Sequence, residues 1–248
     1  MTGAGCGHSS GISPQQAVAL IEAAEAQTAK APVAEASWTT RDNGAPAGKP
    51  SLEYRFYSDN SRHLYQSVNR RDSCYNGINH PRSSEYRDVG DNHYRLSDDT
   101  HGKWAHTRFR FSMHPAQPLG DNVHNLVQIV TGILKPAGTE TLRGEVMRRF
   151  VAQRVPSPQP GLEGGNALVD KITFWIDQKG YLRRVDADKS LLPADTQEIC
   201  NHPTRETNSY EFFNIGIPRP VVVPPTAQTY EYQYPTTPNA QATPSPIT

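Results

Sequence analysis

Residues 171–187, KITFWIDQKGYLRRVDA, constrain the fold more than any other stretch of this chain. Ile172, Thr173, Phe174, Trp175 and Ile176 form a run of β-branched and aromatic residues, which favours a strand. Asp177–Gln178–Lys179–Gly180 interrupts it, and Tyr181–Leu182–Arg183–Arg184–Val185 follows at once. Two such runs around a short polar loop ending in Gly predict a β-hairpin, with Gly180 in the loop position that needs a positive φ. The first run is apolar throughout and the second alternates with charge. One face of the ribbon therefore meets a core and the other meets water.

A core of that kind must be supplied by the rest of a 248-residue chain, and the composition limits its size. Hydrophobic residues make up 35% and there are 21 Pro, so a folded centre is diluted by polar, Pro-rich ends. Lys and Arg number 25, as do Asp and Glu, so nothing in the charge balance points to nucleic acid or to an anionic membrane as an electrostatic partner. No run of about 20 apolar residues is present to span a bilayer.

Read in order, residues 1–12 form a flexible Gly- and Ser-rich tether. Ser13, Pro14 and Gln16 make a helix start with a capping box. Ala17, Val18, Leu20, Ile21, Ala24 and Thr28 recur at three and four, so the helix runs to about Lys30 with one apolar face. Strands follow at 33–40, 52–57, 86–89, 93–96 and 104–113, with 64–68 extending the sheet or turning, and a polar loop at 70–82. Thr107, Phe109, Phe111 and Met113 alternate with His106, Arg108, Arg110 and Ser112. The spacing of Val123, Leu126, Val127, Ile129, Val130, Ile133 and Leu134 predicts a second helix over 122–134, capped by Asp121 and stopped by Pro136. Strands at 139–142 and 146–155 flank a turn at Arg143–Gly144, a loop covers 156–165, and a last strand lies at 209–216. Residues 224–248 read as a disordered Pro/Thr-rich tail. Short connections between strands predict an antiparallel sheet and the α+β class, in one domain over 13–223.

Several phrases in this order carry a family resemblance. GTETLRG (138–144) followed by VMRRF (146–150), FWIDQKGYLRRV (174–185), and YEFFNIGIP (210–218) with Pro224–Pro225 behind it resemble the LppX/LprAFG family of actinobacterial lipoproteins, whose fold is related to the LolA and LolB lipoprotein carriers. The resemblance spans about 13–225. It implies a strongly curved antiparallel sheet, a half barrel, wrapped over two or more helices, with a cavity that holds the acyl chains of a lipid or glycolipid. Each methylene buried there contributes about 0.8 kcal/mol. Candidates for the cavity lining are Leu20, Ile21, Phe109, Phe111, Leu126, Ile129, Ile133, Phe174 and Ile176. The small residues ahead of Cys6 resemble a lipoprotein cleavage box, so Cys6 is the candidate lipid anchor, holding the exported chain at the outer leaflet of the cytoplasmic membrane. Two readings stand for Cys74 and Cys200: a disulfide, which suits an oxidising compartment, or two separate thiols. Residues 55–110 are dense in Arg, Asp, Asn, His and Tyr, more polar than a large lipid cavity requires, and this points to a small or partly filled one.

The remaining constellations are plain. Asp88, Asp91, His93, Asp98, Asp99, His101 and His106 hold metal-ligating groups, but their spacing matches neither HExxH nor a calcium loop, and solvated strand faces and turns explain them. There is no G-x-S-x-G and no paired carboxylates with acid–base spacing. The expectation is a monomeric, non-enzymatic, lipid-binding lipoprotein without metal, cofactor or nucleic-acid partner. The alternative is a cell-envelope scaffold of the same fold with a filled core.

Overall fold

The first helix begins where its capping residues dictate. In the computed structural model the Ser13 hydroxyl accepts a hydrogen bond from the Gln16 amide at 3.2 Å, and the Gln16 side chain accepts one from the Ser13 amide at 2.8 Å. Helix α1 (Pro14–Ala29) buries Ala17, Val18, Ile21, Ala24 and Thr28. Thr28 ties it to the sheet: its hydroxyl donates to the Ala24 carbonyl at 2.8 Å and accepts from the Leu182 amide at 2.9 Å. The structure describes residues 11–43, 49–75, 78–108, 117–130, 132–155, 167–191 and 204–232.

The strands are β1 (Val33–Asp42), β2 (Leu52–Asp59), β3 (Leu64–Tyr75), β4 (Ile78–Val89), β5 (Asn92–Ser97) and β6 (Trp104–Arg108). After helix α2 (Gln117–Gln128) come β7 (Lys135–Leu142), β8 (Glu145–Gln153), β9 (Ala167–Ile176), β10 (Leu182–Leu191), β11 (Arg205–Phe213) and β12 (Thr229–Glu231). They form one sheet in the order β12-β6-β5-β4-β3-β2-β1-β11-β10-β9-β8-β7. The sheet is curved and unclosed, an α+β half barrel. Every neighbouring pair is antiparallel except β12 with β6, which pair in parallel over three residues.

The 171–187 ribbon sits where its residues require. Phe174 on β9 lies between Phe150 on β8 and Val185 on β10. All three are buried, with Ile172, Ile176, Leu182 and Ala187, against α1 and α2. The buried Asp177 carboxylate closes the loop by accepting the Lys179 and Tyr181 amides, both at 2.9 Å. Gly180 has φ +87°, and a Cβ there would come within 3.0 Å of the Gln27 side chain. The next hairpin turns at Arg143 (φ +50°) and Gly144 (φ +81°), the pair of positive angles that matches the strand twist.

On the outer face Trp175 is buried beneath the Arg184 guanidinium, 5.2 Å from its ring centre, and its indole N–H donates to Glu140 at 3.1 Å. Arg143 binds Glu211 through two N–H groups at 2.8 and 3.0 Å. These bonds hold the Glu211 carboxyl below the usual glutamate range, with partial burial opposing them. A depressed folded-state value stabilises the protein above the ordinary glutamate pKa of about 4.3, and that stability is lost as pH falls through the folded value. Glu211→Gln is therefore expected to lower stability near neutral pH by under about 1 kcal/mol, because Arg143 is more than half exposed. Denaturation of both proteins at pH 7 and pH 3 should show the gap closing at the lower pH.

Three elements differ from the sequence expectation. Helix α2 runs from Gln117 to Gln128, not over 122–134. Gly132 takes φ +84°, and the Val130 and Ile133 amides bond three residues back to Val127 and Val130. Val130 and Leu134 remain fully buried, so the apolar spacing continues through a buried turn that is not helix. Residues 70–82 contribute to a long hairpin: Arg71 faces Arg82 and Asp72 faces Pro81 across β3 and β4. Arg70, Arg71, Arg82 and Ser83 are exposed, and this removes the apolar alternation that would mark strands.

The third difference lies in the stretch 224–248, read as a disordered tail: residues 226–231 form a short turn and a strand on the outer face, continuing a segment that packs there from Arg219 onward. Arg219 pairs with Glu35, donates to Gln66 at 2.9 Å and lies 4.2 Å over the Tyr57 ring. The Tyr57 hydroxyl accepts from the Arg219 amide and donates to its carbonyl, both at 3.0 Å. Val221 is buried with Val33 and Tyr57. The segment ends as β12, where the His106 ring meets Glu231 at 2.7 Å and Asn92 at 3.1 Å. Residues 233–248, Cys6 and Cys200 lie outside the described residues, as does the side chain of Cys74.

Candidate functional site

Strand pairing brings together, on the helix-bearing face, residues more than 160 positions apart in sequence. Trp38 on β1 faces Tyr54 on β2 and Tyr210 on β11. The Trp38 and Tyr210 rings stack with centres 5.6 Å apart and planes 20° apart. One step along the strands, Thr40 faces Leu52 and Asn208, and Asn208 faces Ala187 on β10. A further step brings Asp42 opposite Glu206, and Glu206 opposite Lys189. The alternation of strand side chains puts all of these on one face.

Helix α2 overhangs them, with Asn122 and Leu126 facing down. Between helix and sheet lies a half-open cleft of about 510 Å³. Arg71 and Asp72 from β3 complete its edge. The cleft is graded from an aromatic inner row, through Thr40 and Asn208, to a charged mouth.

Its polar groups are already organised. Asn208 and Thr40 are buried. The Asn208 carbonyl oxygen accepts from the Thr40 hydroxyl at 2.6 Å and from the Trp38 indole at 3.3 Å. Its amide nitrogen donates to Glu206 at 2.6 Å, and Lys189 stands 3.5 Å from the same carboxylate oxygen. Further along the aromatic row Asn69 faces Tyr54, and its buried side-chain oxygen has no hydrogen-bond partner among the described residues.

Of the residues expected from sequence to line a cavity, Leu126 lines this cleft. Ile21, Phe174 and Ile176 are buried in the central core, and Leu20, Ile129 and Ile133 pack against it half-buried. Phe109 and Phe111 lie outside the described residues. Trp38, Thr40, Asn208, Glu206, Lys189 and Tyr210 were not singled out as lining. The alternation within each strand places them on a common face, but only the pairing of β1 with β11 makes them neighbours.

The dense polar stretch 88–106 divides between the two faces. Asp88 and His93 meet at 2.5 Å on the inner face, beside Tyr86 and Tyr65. The Tyr65 hydroxyl meets that of Tyr54 at 2.7 Å, and burial first, then Tyr54, pushes its pKa up. His106 is on the outer face, stacked on Tyr94. Among the described residues no three His, Cys, Asp or Glu side chains gather to hold a metal, and no helix is long and apolar enough to cross a membrane.

No family model and no curated protein matches the chain. Solved structures similar to it include the lipoprotein LppX of Mycobacterium tuberculosis, at 16% identity over 83% of this chain and 98% of that one, with a TM-score of 0.46. LprF from Mycobacterium bovis is similar at 15% identity over 85% and 96%, with a TM-score of 0.49. A putative outer membrane lipoprotein-sorting protein domain from Vibrio parahaemolyticus is similar at 9% identity over 80% and 91%, with a TM-score of 0.26. LppX and LprF are the proteins whose family the sequence phrases resemble.

Proposed function

We propose that this protein is an exported, non-enzymatic lipoprotein that binds an amphiphile, a lipid or glycolipid, in the cleft beneath α2 and carries or shields it. The graded lining carries the reading. Trp38 and Leu52, half-buried, offer apolar surface to a chain with Tyr210, Leu126 and Ala187 packed behind them, while Thr40, Asn208 and the charged mouth keep a polar end hydrated. A guest chain gains about 0.8 kcal/mol for each methylene withdrawn from water. The space between α1 and the β9–β10 ribbon is occupied by Ile21, Phe150, Phe174 and their neighbours, so the guest is confined to the cleft. Glu206 is engaged by Asn208 and Lys189, an arrangement that suits recognition better than acid–base chemistry.

Leu126→Trp tests the reading, because the indole would fill the cleft from its helical roof. Titration with a fluorescent single-chain fatty acid is expected to show at least tenfold weaker binding to the variant, with circular dichroism unchanged. Equal binding would place the guest elsewhere or nowhere. We further propose that Cys6 carries the anchoring lipid; an intact mass of membrane-extracted protein without a diacylglyceryl group would remove that part alone. A scaffold role has its own support in the exposed Ile217, Val222 and Val223 of the C-terminal segment, and it gains if the cleft takes up no lipid.

A further inference from the structure

A net charge of zero conceals a local excess of cations. Lys49, Arg70, Arg71 and Arg82, all exposed, line a half-open groove of about 320 Å³ together with the carboxylates of Glu53 and Asp72. Glu53 is already engaged, by Arg55 at 2.7 Å and by Arg70 at 3.7 Å. Among the described residues no ion pair engages Lys49, Arg71 or Arg82. The groove is therefore positive with both of its carboxylates counted, and Arg55 beside Glu53 adds to the balance.

The backbone gathers them. β3 pairs with β2 over Leu64–Arg71, and β4 pairs with β5 over Ser84–Val89. After a last bond from the Asp72 amide to the Ser51 carbonyl at 2.9 Å, β3 and β4 run on past both neighbours, paired only with each other. A two-stranded arm thus leaves the sheet, with the cations at its root. Arg71 stands opposite Arg82, and Arg70 opposite Ser83 on the other side of the arm. Charge keeps such exposed edges from pairing with other chains, but either sign serves. Like charges directly opposite each other also weaken a strand pair. Arg71 against Arg82 is relieved by anions from outside the chain.

We propose that the root of the β3–β4 arm is a docking site for an anionic lipid bilayer, met by Lys49, Arg70, Arg71 and Arg82. A bilayer fits better than one small anion. The cations stand on both sides of the arm and do not converge, and a single phosphate among them would also meet Glu53 and Asp72. Dispersed head groups satisfy spread charges. Ser51, Arg71 and Asp72 line both this groove and the cleft beneath α2, so a bilayer held here stands at the cleft mouth. The docking site goes beyond the cleft reading and does not depend on what the cleft binds. Each Lys or Arg brought to such a surface gains about fivefold in affinity.

The test is flotation of the full chain with vesicles of phosphatidylcholine alone or with about one third phosphatidylglycerol. The anionic vesicles are expected to bind at least tenfold more tightly at about 0.05 M salt, and the difference should vanish at about 0.5 M, where screening confines charge to a few ångström. The triple variant Lys49→Gln, Arg70→Gln, Arg82→Gln is expected to lose at least tenfold in affinity for the anionic vesicles. None of the three lines the cleft, so uptake of the fluorescent fatty acid should stay within twofold. Lys30→Gln, Lys103→Gln, Arg148→Gln removes the same charge from exposed positions elsewhere and should lose less than threefold. Equal binding of the two kinds of vesicle, or equal losses in the two triple variants, overturns the docking site. Release from the vesicles by inorganic phosphate beyond that by chloride at equal ionic strength also overturns it, in favour of a small-anion site. Vesicle docking without fatty-acid uptake supports the docking site and overturns the cleft reading alone.

Discussion

Phe174→Ala is expected to destabilise the protein by about 3–5 kcal/mol, the largest effect of any single change considered. Phe174 is fully buried, flanked in the sheet by Phe150 and Val185, and belongs to the same core as α1 and α2. Truncation removes the transfer free energy of the ring and leaves a cavity that rigid strands on both sides cannot close. For a domain of this size the loss corresponds to a fall in melting temperature on the order of 10 °C. Phe174→Leu keeps most of the volume and is expected to lose about 1.5 kcal/mol. Chemical denaturation of the three proteins checks the order. A loss under about 1 kcal/mol for the alanine variant would mean that the ribbon does not bear on the core as described.

The second largest effect is expected at Asp177. Its side chain is 5% exposed, accepts two backbone N–H groups and lies 3.5 Å from the Arg183 guanidinium. Asp177→Ala strands the Lys179 and Tyr181 amides and leaves Arg183, itself largely buried, without this partner. The expected cost is about 3 kcal/mol. Asp177→Asn keeps an oxygen in the accepting position and loses the charge, so it should cost less than half as much. Hydrogen exchange at Lys179 and Tyr181 should quicken in the alanine variant before the rest of the sheet opens. Equal stability of the alanine and asparagine variants would show that only the charge matters, and that the two amide bonds contribute nothing.

The ribbon was legible because its signals are local. A continuous β-branched and aromatic run, a polar loop and a glycine each act over a few residues, and each survives in the structure. The helix start at Ser13–Gln16 was legible for the same reason. Helix α2 shows how the same reasoning misplaces an element. Spacing at three and four reports which residues are buried, and a tight turn at Gly132 buries Val130 and Leu134 as a helix would. The β3–β4 hairpin was missed for the opposite reason, because its far end meets solvent and shows no apolar alternation. The composition of 224–248 reads as a disordered tail, yet Thr226–Gln228 form a short turn and Thr229–Glu231 pair with β6 as β12, a parallel contact with a strand more than 120 positions away.

By itself the amino-acid sequence determined the class of this protein: short-range apolar patterns and turn residues prescribe an antiparallel sheet with helices on one face. The cleft was decided only in three dimensions. Trp38 and Tyr210, or Thr40 and Asn208, become neighbours when β1 pairs with β11, and nothing within either strand names its partner. That pairing is settled by burial of the whole face beneath α1 and α2, a property of the assembled sheet and of no segment alone.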